Sequence, residues 1–162
     1  MMDKEKVLAL VESVSKQKPI WIENSAPSIL LIHEHDLLTI SKALLENPTT
    51  YFDQLACITG IDNGIDVNTM EIVYNLYSIP FNQSLALRVV LNRKSPEVES
   101  VSSIWKSANW LEREVFDMYG VNFLNHPDLR RILMPADWDG FPLRKDYREQ
   151  ETYRNIKLAP EN

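Results

Sequence analysis

The sequence predicts an α+β domain: a mixed or antiparallel sheet of about four or five strands with helices on one face, followed by an extended C-terminal segment. Three observations carry this. Period-two alternation runs through 70–79 and again through 85–91, apolar residues recur at three- and four-residue steps in other stretches, and periodicity stops after Gly120. The boundary these patterns suggest separates an α+β body, residues 1–123, from an extended partner-docking segment, residues 124–162.

Lys4 to Lys16 reads as a first helix, because Val7, Leu10, Val11 and Val14 share a face, and Pro19 ends it. IWIE at 20–23 and ILLIH at 29–33 are short strand candidates around the turn formers Asn24, Ser25, Ala26 and Pro27. Asp36 is placed to cap a second helix with Leu37, Ile40 and Leu44 as its stripe, closed by Asn47 and Pro48. Residues 53–61 form a strand, followed by the turn-rich DNGIDVN at 62–68. Met70, Ile72, Tyr74 and Leu76 mark one face of the next run, and Leu85, Leu87, Val89 and Leu91 one face of the run after it. Separated by Pro80 to Ser84, they predict an antiparallel pair with one face on the core. The last helix is expected from about Ser102 to Tyr119 on the stripe Ile104, Ala108, Leu111, Val115 and Met118, with Gly120 as a left-handed C-cap.

Composition excludes several function classes. At 162 residues the chain suits one domain with a tail, and no apolar run approaches the roughly 18 to 20 residues of a membrane-spanning helix. The N-terminal residues lack the apolar core of a signal peptide, so a cytoplasmic address or a membrane face reached through other proteins is expected. A net charge of -6 argues against general nucleic-acid binding. That balance belongs to the body: residues 1–125 carry 10 Lys+Arg against 16 Asp+Glu, and residues 126–162 carry 7 against 7. A single cysteine, Cys57, rules out an internal disulfide and cannot supply the thiolates of an iron–sulfur cluster. Four isolated glycines form neither a phosphate loop nor a dinucleotide fingerprint.

Three local constellations remain. His33, Glu34, His35 and Asp36 gather ligand-type side chains, with exposed polar residues before a helix cap as the plainer alternative; the one other histidine, His126, is distant in sequence. Glu112, Glu114 and Asp117 sit with Arg113 on the last helix, where Arg113 and Asp117, one turn apart, are expected to pair. Glu114 near Asp117 would raise a carboxyl pKa if both were buried, whereas a solvated face leaves them ordinary. Trp105 and Trp110 lie off the central stripe, which points to a face that meets another protein. In HPDLRRILMPADWDGFPLRKDY, residues 126–147, Pro127 and Asp128 read as the start of one helical turn. The remainder mixes Arg, Trp, Tyr and Pro without period, the chemistry of a stiffened docking segment, with a solvated loop as the alternative.

From Ala108 to Tyr147 the chain closely resembles the signature region of the C subunit of proton-translocating NADH:quinone oxidoreductase, respiratory complex I. The resemblance rests on Glu112-Arg113-Glu114, Asp117 with Gly120, His126 to Leu133, and Gly140 with Pro142-Leu143-Arg144-Lys145-Asp146. Phe141 and Arg148 stand where many members carry histidine and proline. What the resemblance implies is a peripheral-arm subunit on the cytoplasmic side of the membrane, with no catalytic residue, cofactor or metal of its own. FMN and iron–sulfur clusters belong to the whole complex. The implied partners are the large D subunit, which helps form the quinone chamber, and the neighbouring iron–sulfur subunits B and I. Arg130, Arg131, Arg144, Lys145 and Asp146 are then partner-pairing charges, Trp138 and Tyr147 anchors, and Glu112, Arg113, Glu114 and Asp117 a structural charge cluster. Two alternatives stay beside this: the equivalent subunit of an energy-converting membrane hydrogenase, and a small metal-dependent hydrolase using His33, His35 and Asp36.

Overall fold

The computed structural model describes residues 4–23, 27–154 and 156–158. Helix α1 covers Lys4–Val14, strands β1 and β2 cover Ile20–Ile22 and Ile29–Ile32, and helix α2 covers Leu37–Glu46 after a short 3-10 turn at Glu34–Asp36. Strands β3, β4 and β5 follow at Gln54–Asp62, Thr69–Ser78 and Gln83–Asn92. The short strand β6, Glu97–Glu99, precedes helix α3, Ala108–Tyr119, and β7, Asn122–Leu124, follows it. A last two-stranded pair joins β8, Thr152–Tyr153, to β9, Ile156–Lys157.

The main sheet has the order β1-β2-β5-β4-β3, with β2 and β5 parallel and the other neighbours antiparallel, so the expected mixed sheet is found. The alternating residues behave as their period requires. Met70, Ile72, Tyr74 and Leu76 of β4 are buried together with Leu85, Leu87, Val89 and Leu91 of β5. Val7 and Val11 of α1, Leu37, Ile40 and Leu44 of α2, and Ala108 and Val115 of α3 join the same core cluster, so that face of the sheet carries the helices.

Several local expectations differ from the structure. The predicted turn at 24–27 falls partly outside the described residues. Asp36 stands at the α2 N-cap position but makes no side-chain cap there. Its carboxylate accepts the Lys16 and Gln17 backbone N–H groups, both at 3.1 Å, and so ties the end of α1 to the start of α2. Helix α3 starts at Ala108 rather than near Ser102, because 102–107 wind through turns closed by Ile104 N–H and Trp105 N–H on the Val101 carbonyl. Trp105 lies in those turns, buried, with its indole N–H donated to the Phe52 carbonyl at 3.1 Å. It is a core residue and not part of an outward face. Strands β6 and β7 pair in parallel, bringing Val98 beside Phe123. Each is three residues long, too short for period two to register in the sequence.

Candidate functional site

Gly120 ends α3 in the left-handed conformation, φ 71°, with its N–H on the Phe116 carbonyl at 2.8 Å. A Cβ there would also collide with the Phe141 ring, so this glycine serves a close contact as well as a turn. The chain then passes through β7 and returns from His126 as a strap laid against α3. Pro127 and Asp128 form a turn rather than a helix start: His126 Nδ1 accepts the Asp128 N–H at 3.0 Å, while Nε2 sits 3.0 Å from the Asn109 carbonyl.

Asp117 is the principal anchor of the strap. Fully buried on α3, its Oδ2 accepts the backbone N–H groups of Ile132, Leu133 and Met134 at 2.8, 2.6 and 3.0 Å. Its Oδ1 accepts Arg131 Nη1 at 2.9 Å. Burial pushes the carboxyl up, but the three N–H donors and the guanidinium outweigh it and leave the pKa below the ordinary value. The expected Arg113–Asp117 pair is therefore absent: Arg131 and three amides occupy the carboxylate that a helical neighbour would have used. Arg113 instead donates Nε to the Arg130 carbonyl at 3.1 Å and lies 4.6 Å over the ring of Trp110, which is 62% exposed. Glu114 is exposed, so the two carboxyls do not share a buried site, and the Asp117 pKa lies below its ordinary value rather than above it.

A second anchor binds the strap to the sheet. Arg93, just past β5, places Nε and Nη2 on the two Asp62 oxygens at 2.7 and 2.9 Å. On its other side it pairs with both oxygens of Asp146, Nη1 at 3.2 Å. The Lys145 N–H also reaches Asp62, at 2.8 Å. Arg93 holds the Asp62 carboxyl far below the carboxylate range against the opposing effect of burial, and it lowers Asp146 too. Sequence reasoning missed Asp62 and Arg93: one sits in a turn-rich stretch, the other at a strand end, and only the fold brings them to Asp146.

Between these anchors, Arg131 and Arg144 lie over the Phe141 ring, 5.1 and 4.8 Å from its centroid. Arg131 Nη2 donates to the Gly140 carbonyl at 2.7 Å and Arg144 Nε to the Tyr119 carbonyl at 2.6 Å. Burial, then repulsion by Arg93, lowers the Arg144 pKa. Trp138 donates its indole N–H to the Tyr147 hydroxyl at 3.0 Å and packs 5.2 Å from the Tyr153 ring. A cavity of about 290 Å³ opens beside them, lined by Met134, Trp138, Pro142, Tyr147, Glu149 and Leu158. Arg130, paired with Asp128, and Lys145 are exposed at the outer surface, as are Leu133 and Leu143, at 60% and 52%.

Of the charges read as partner-pairing, Arg130, Arg131 and Asp146 thus have carboxylate or guanidinium partners within the chain and Arg144 donates to the Tyr119 carbonyl, while Arg130 with its exposed pair and Lys145 stand at the outer surface. Glu112, Arg113 and Glu114 do not form one cluster: Glu112 is buried in the core, Arg113 lies over the Trp110 ring, and Glu114 is exposed. Of the proposed metal quartet, Asp36 is committed to the Lys16 and Gln17 amides. His33, Glu34 and His35 keep ligand atoms within 4.8 Å of one another near the surface. Among the described residues no helix is long and apolar enough to cross a membrane.

Fold and site define an α+β chain whose signature residues are invested in seating a C-terminal strap on the last helix and the edge of the sheet. The model of the respiratory-chain NADH dehydrogenase 30 kDa subunit family matches residues 30–153, and the chain belongs to that family. Relatives include the C subunit of the NADH-quinone oxidoreductase of Chlorobium phaeobacteroides, 44% identical over 120 residues covering 74% of this chain and 72% of that protein. The corresponding protein of Chloroherpeton thalassium is 45% identical over 114 residues, 70% of this chain, although the match spans only 47% of its own length. Among solved structures, a trypsin-resistant fragment (1–134) of Nqo5 matches with a TM-score of 0.60 at 25% identity, over 79% of this chain and 100% of the fragment. An archaeal respiratory membrane complex, the membrane-bound sulfane sulfur reductase, contains a chain of the same fold, with a TM-score of 0.73 at 18% identity over 90% of this chain and 85% of that one.

Proposed function

We propose that this chain is a non-redox peripheral-arm subunit of proton-translocating NADH:quinone oxidoreductase, held on the cytoplasmic side of the membrane through the complex. In this role it contributes to electron transfer from NADH to quinone by assembly and not by bond chemistry. The observation that carries the reading is that the family match runs through body and strap together, 30–153, so the anchored strap is part of what the family shares. The strap also suits a partner surface: Trp138, Tyr147 and Met134 border a cavity, and exposed Leu133, Leu143 and Arg130 stand outside it. The large quinone-chamber subunit, D in the family's lettering, is the proposed main partner, with the iron–sulfur subunits B and I as neighbours. FMN and the clusters are assigned to other subunits, in keeping with the single cysteine, Cys57, which is free and exposed.

Co-expression with the quinone-chamber subunit, followed by size exclusion, tests this directly. The full-length chain is expected to form a one-to-one complex, and a chain truncated after Phe123 is expected not to. Equal binding by both would move the contact to the body, and no binding by the full chain would overturn the assignment of the partner.

A further inference from the structure

Under the root of the strap lies a buried polar cluster that the anchoring scheme does not use. Glu112, wholly inaccessible on α3, accepts the Val101 N–H on Oε1 at 2.7 Å and the Ser100 hydroxyl on Oε2 at 2.6 Å. His126, whose side chain is equally inaccessible, places Nε2 3.8 Å from Oε2. From β4 comes Tyr74, fully buried, whose hydroxyl has no hydrogen-bond partner among the described residues and whose phenol is pushed up by burial and by the Glu112 charge. No lysine or arginine among the described residues pairs with Glu112. A carboxylate at this position therefore has hydroxyl, amide and imidazole donors around it but no fixed cation.

The imidazole is committed elsewhere. Because Nδ1 accepts the Asp128 N–H, the ring proton is on Nε2, where the Asn109 carbonyl at 3.0 Å is its nearer acceptor. These two bonds fix the turn from which the strap departs. We propose that Glu112 is a proton-operated latch for the root of the strap. With the carboxyl protonated, His126 stays bonded to Asn109 and Asp128. When the carboxyl releases its proton to solvent, the new buried charge draws the Nε2–H from the Asn109 carbonyl toward Oε2, which tilts the ring and loosens the Asp128 turn.

The working range follows from burial, which raises the Glu112 carboxyl from 4.5 to about 7, with the Ser100 and Val101 bonds opposing the rise. The folded-state value lies above the unfolded one. Protonated Glu112 therefore supports the fold below 4.5, and that support is lost as pH rises through about 7. The firmly seated root belongs to the acid side of neutrality and the loosened root to the alkaline side.

The full-length chain tests this by NMR, with the Glu112 side-chain carboxyl carbon followed as a function of pH and the exchange protection of the Asp128 amide measured across the same range. The carboxyl is expected to titrate near 7, and Asp128 protection, corrected for intrinsic exchange, to fall about tenfold from pH ~6 to pH ~8.5. Glu112→Gln, neutral at every pH, is expected to keep Asp128 protected throughout. Ser100→Ala, which deletes one bond that lowers the Glu112 pKa, is expected to move the titration and the protection profile upward together, and it serves if the glutamine variant fails to fold. A Glu112 midpoint in the ordinary carboxylate range, a glutamine variant with the parental pH profile, or a Ser100→Ala profile that stays while the titration moves would each overturn the latch.

Discussion

The body and the strap are held by different kinds of force. In the body, the largest fully buried side chains are almost all apolar: Phe52, Phe123, Leu30, Leu37, Ile72, Leu87 and their neighbours pack between helices and sheet. In the strap, Leu133 and Leu143 face outward, and attachment runs through Asp117, Asp62 with Arg93, and the Tyr119 carbonyl. Apolar burial is non-directional and tolerates repacking; carboxylate anchors depend on charge and geometry. The two regions should therefore fail separately, under different perturbations.

The largest separation is expected from Asp117→Ala. Three strap amides and the Arg131 guanidinium lose their acceptor at once, a cost of about 3–5 kcal/mol, felt almost entirely by the strap. Exchange protection at Ile132, Leu133 and Met134 should collapse while the β4–β5 amides stay protected. In the body, Leu87→Ala removes a fully buried side chain and should cost about 2–5 kcal/mol, lowering protection in both regions because the strap rests on the body. Equal losses in both regions from Asp117→Ala would mean that the strap is part of the core.

Acid should sharpen the same contrast. Asp117, Asp62 and Asp146 all have folded-state pKa values below the ordinary 3.8, so their stabilisation is present above that value and is lost as pH falls through the lower folded values. Glu112 runs the other way and favours the fold on the acid side. On acidification below about 3.8, the strap amides are expected to lose their native chemical shifts before those of β4 and β5. A single concerted transition would argue against separate anchoring.

How much was legible in the sequence follows the same division. The β4–β5 pair was readable because ten-residue strands repeat period two long enough to be seen, and the end of α3 because Gly120 is a local signal. The strap anchors were not. Asp117 carried an obvious helical partner in Arg113, and local geometry favoured that pair, but the returning strap presents three amides and Arg131 to the same carboxylate. Asp62, Arg93 and Asp146 carry no shared local pattern at all, since their association depends on the sheet edge and the strap's path. The resemblance rests on the segment from Ala108 to Tyr147 and does not state which of its charges are satisfied within the chain.

The smallest expected effect, and the finest test of the contrast, lies in two adjacent arginines. Arg130 has a side chain 74% exposed and pairs with the half-exposed Asp128; Arg131 is 12% exposed and pairs with the inaccessible Asp117. A solvated pair of the first kind contributes about 0–1 kcal/mol, because water screens it and two long side chains must be ordered to form it. Arg130→Ala should therefore leave thermal stability and the 132–134 protection near the parental values, with its salt-sensitive effect confined to binding of the quinone-chamber subunit. Arg131→Ala should weaken strap protection at unchanged β4–β5 protection, since it leaves Asp117 buried with only amide donors. If Arg130→Ala loosened the strap as much as Arg131→Ala, exposure would not be what distinguishes them, and the Arg113 bond to the Arg130 carbonyl would become the better explanation of how this part of the strap is held.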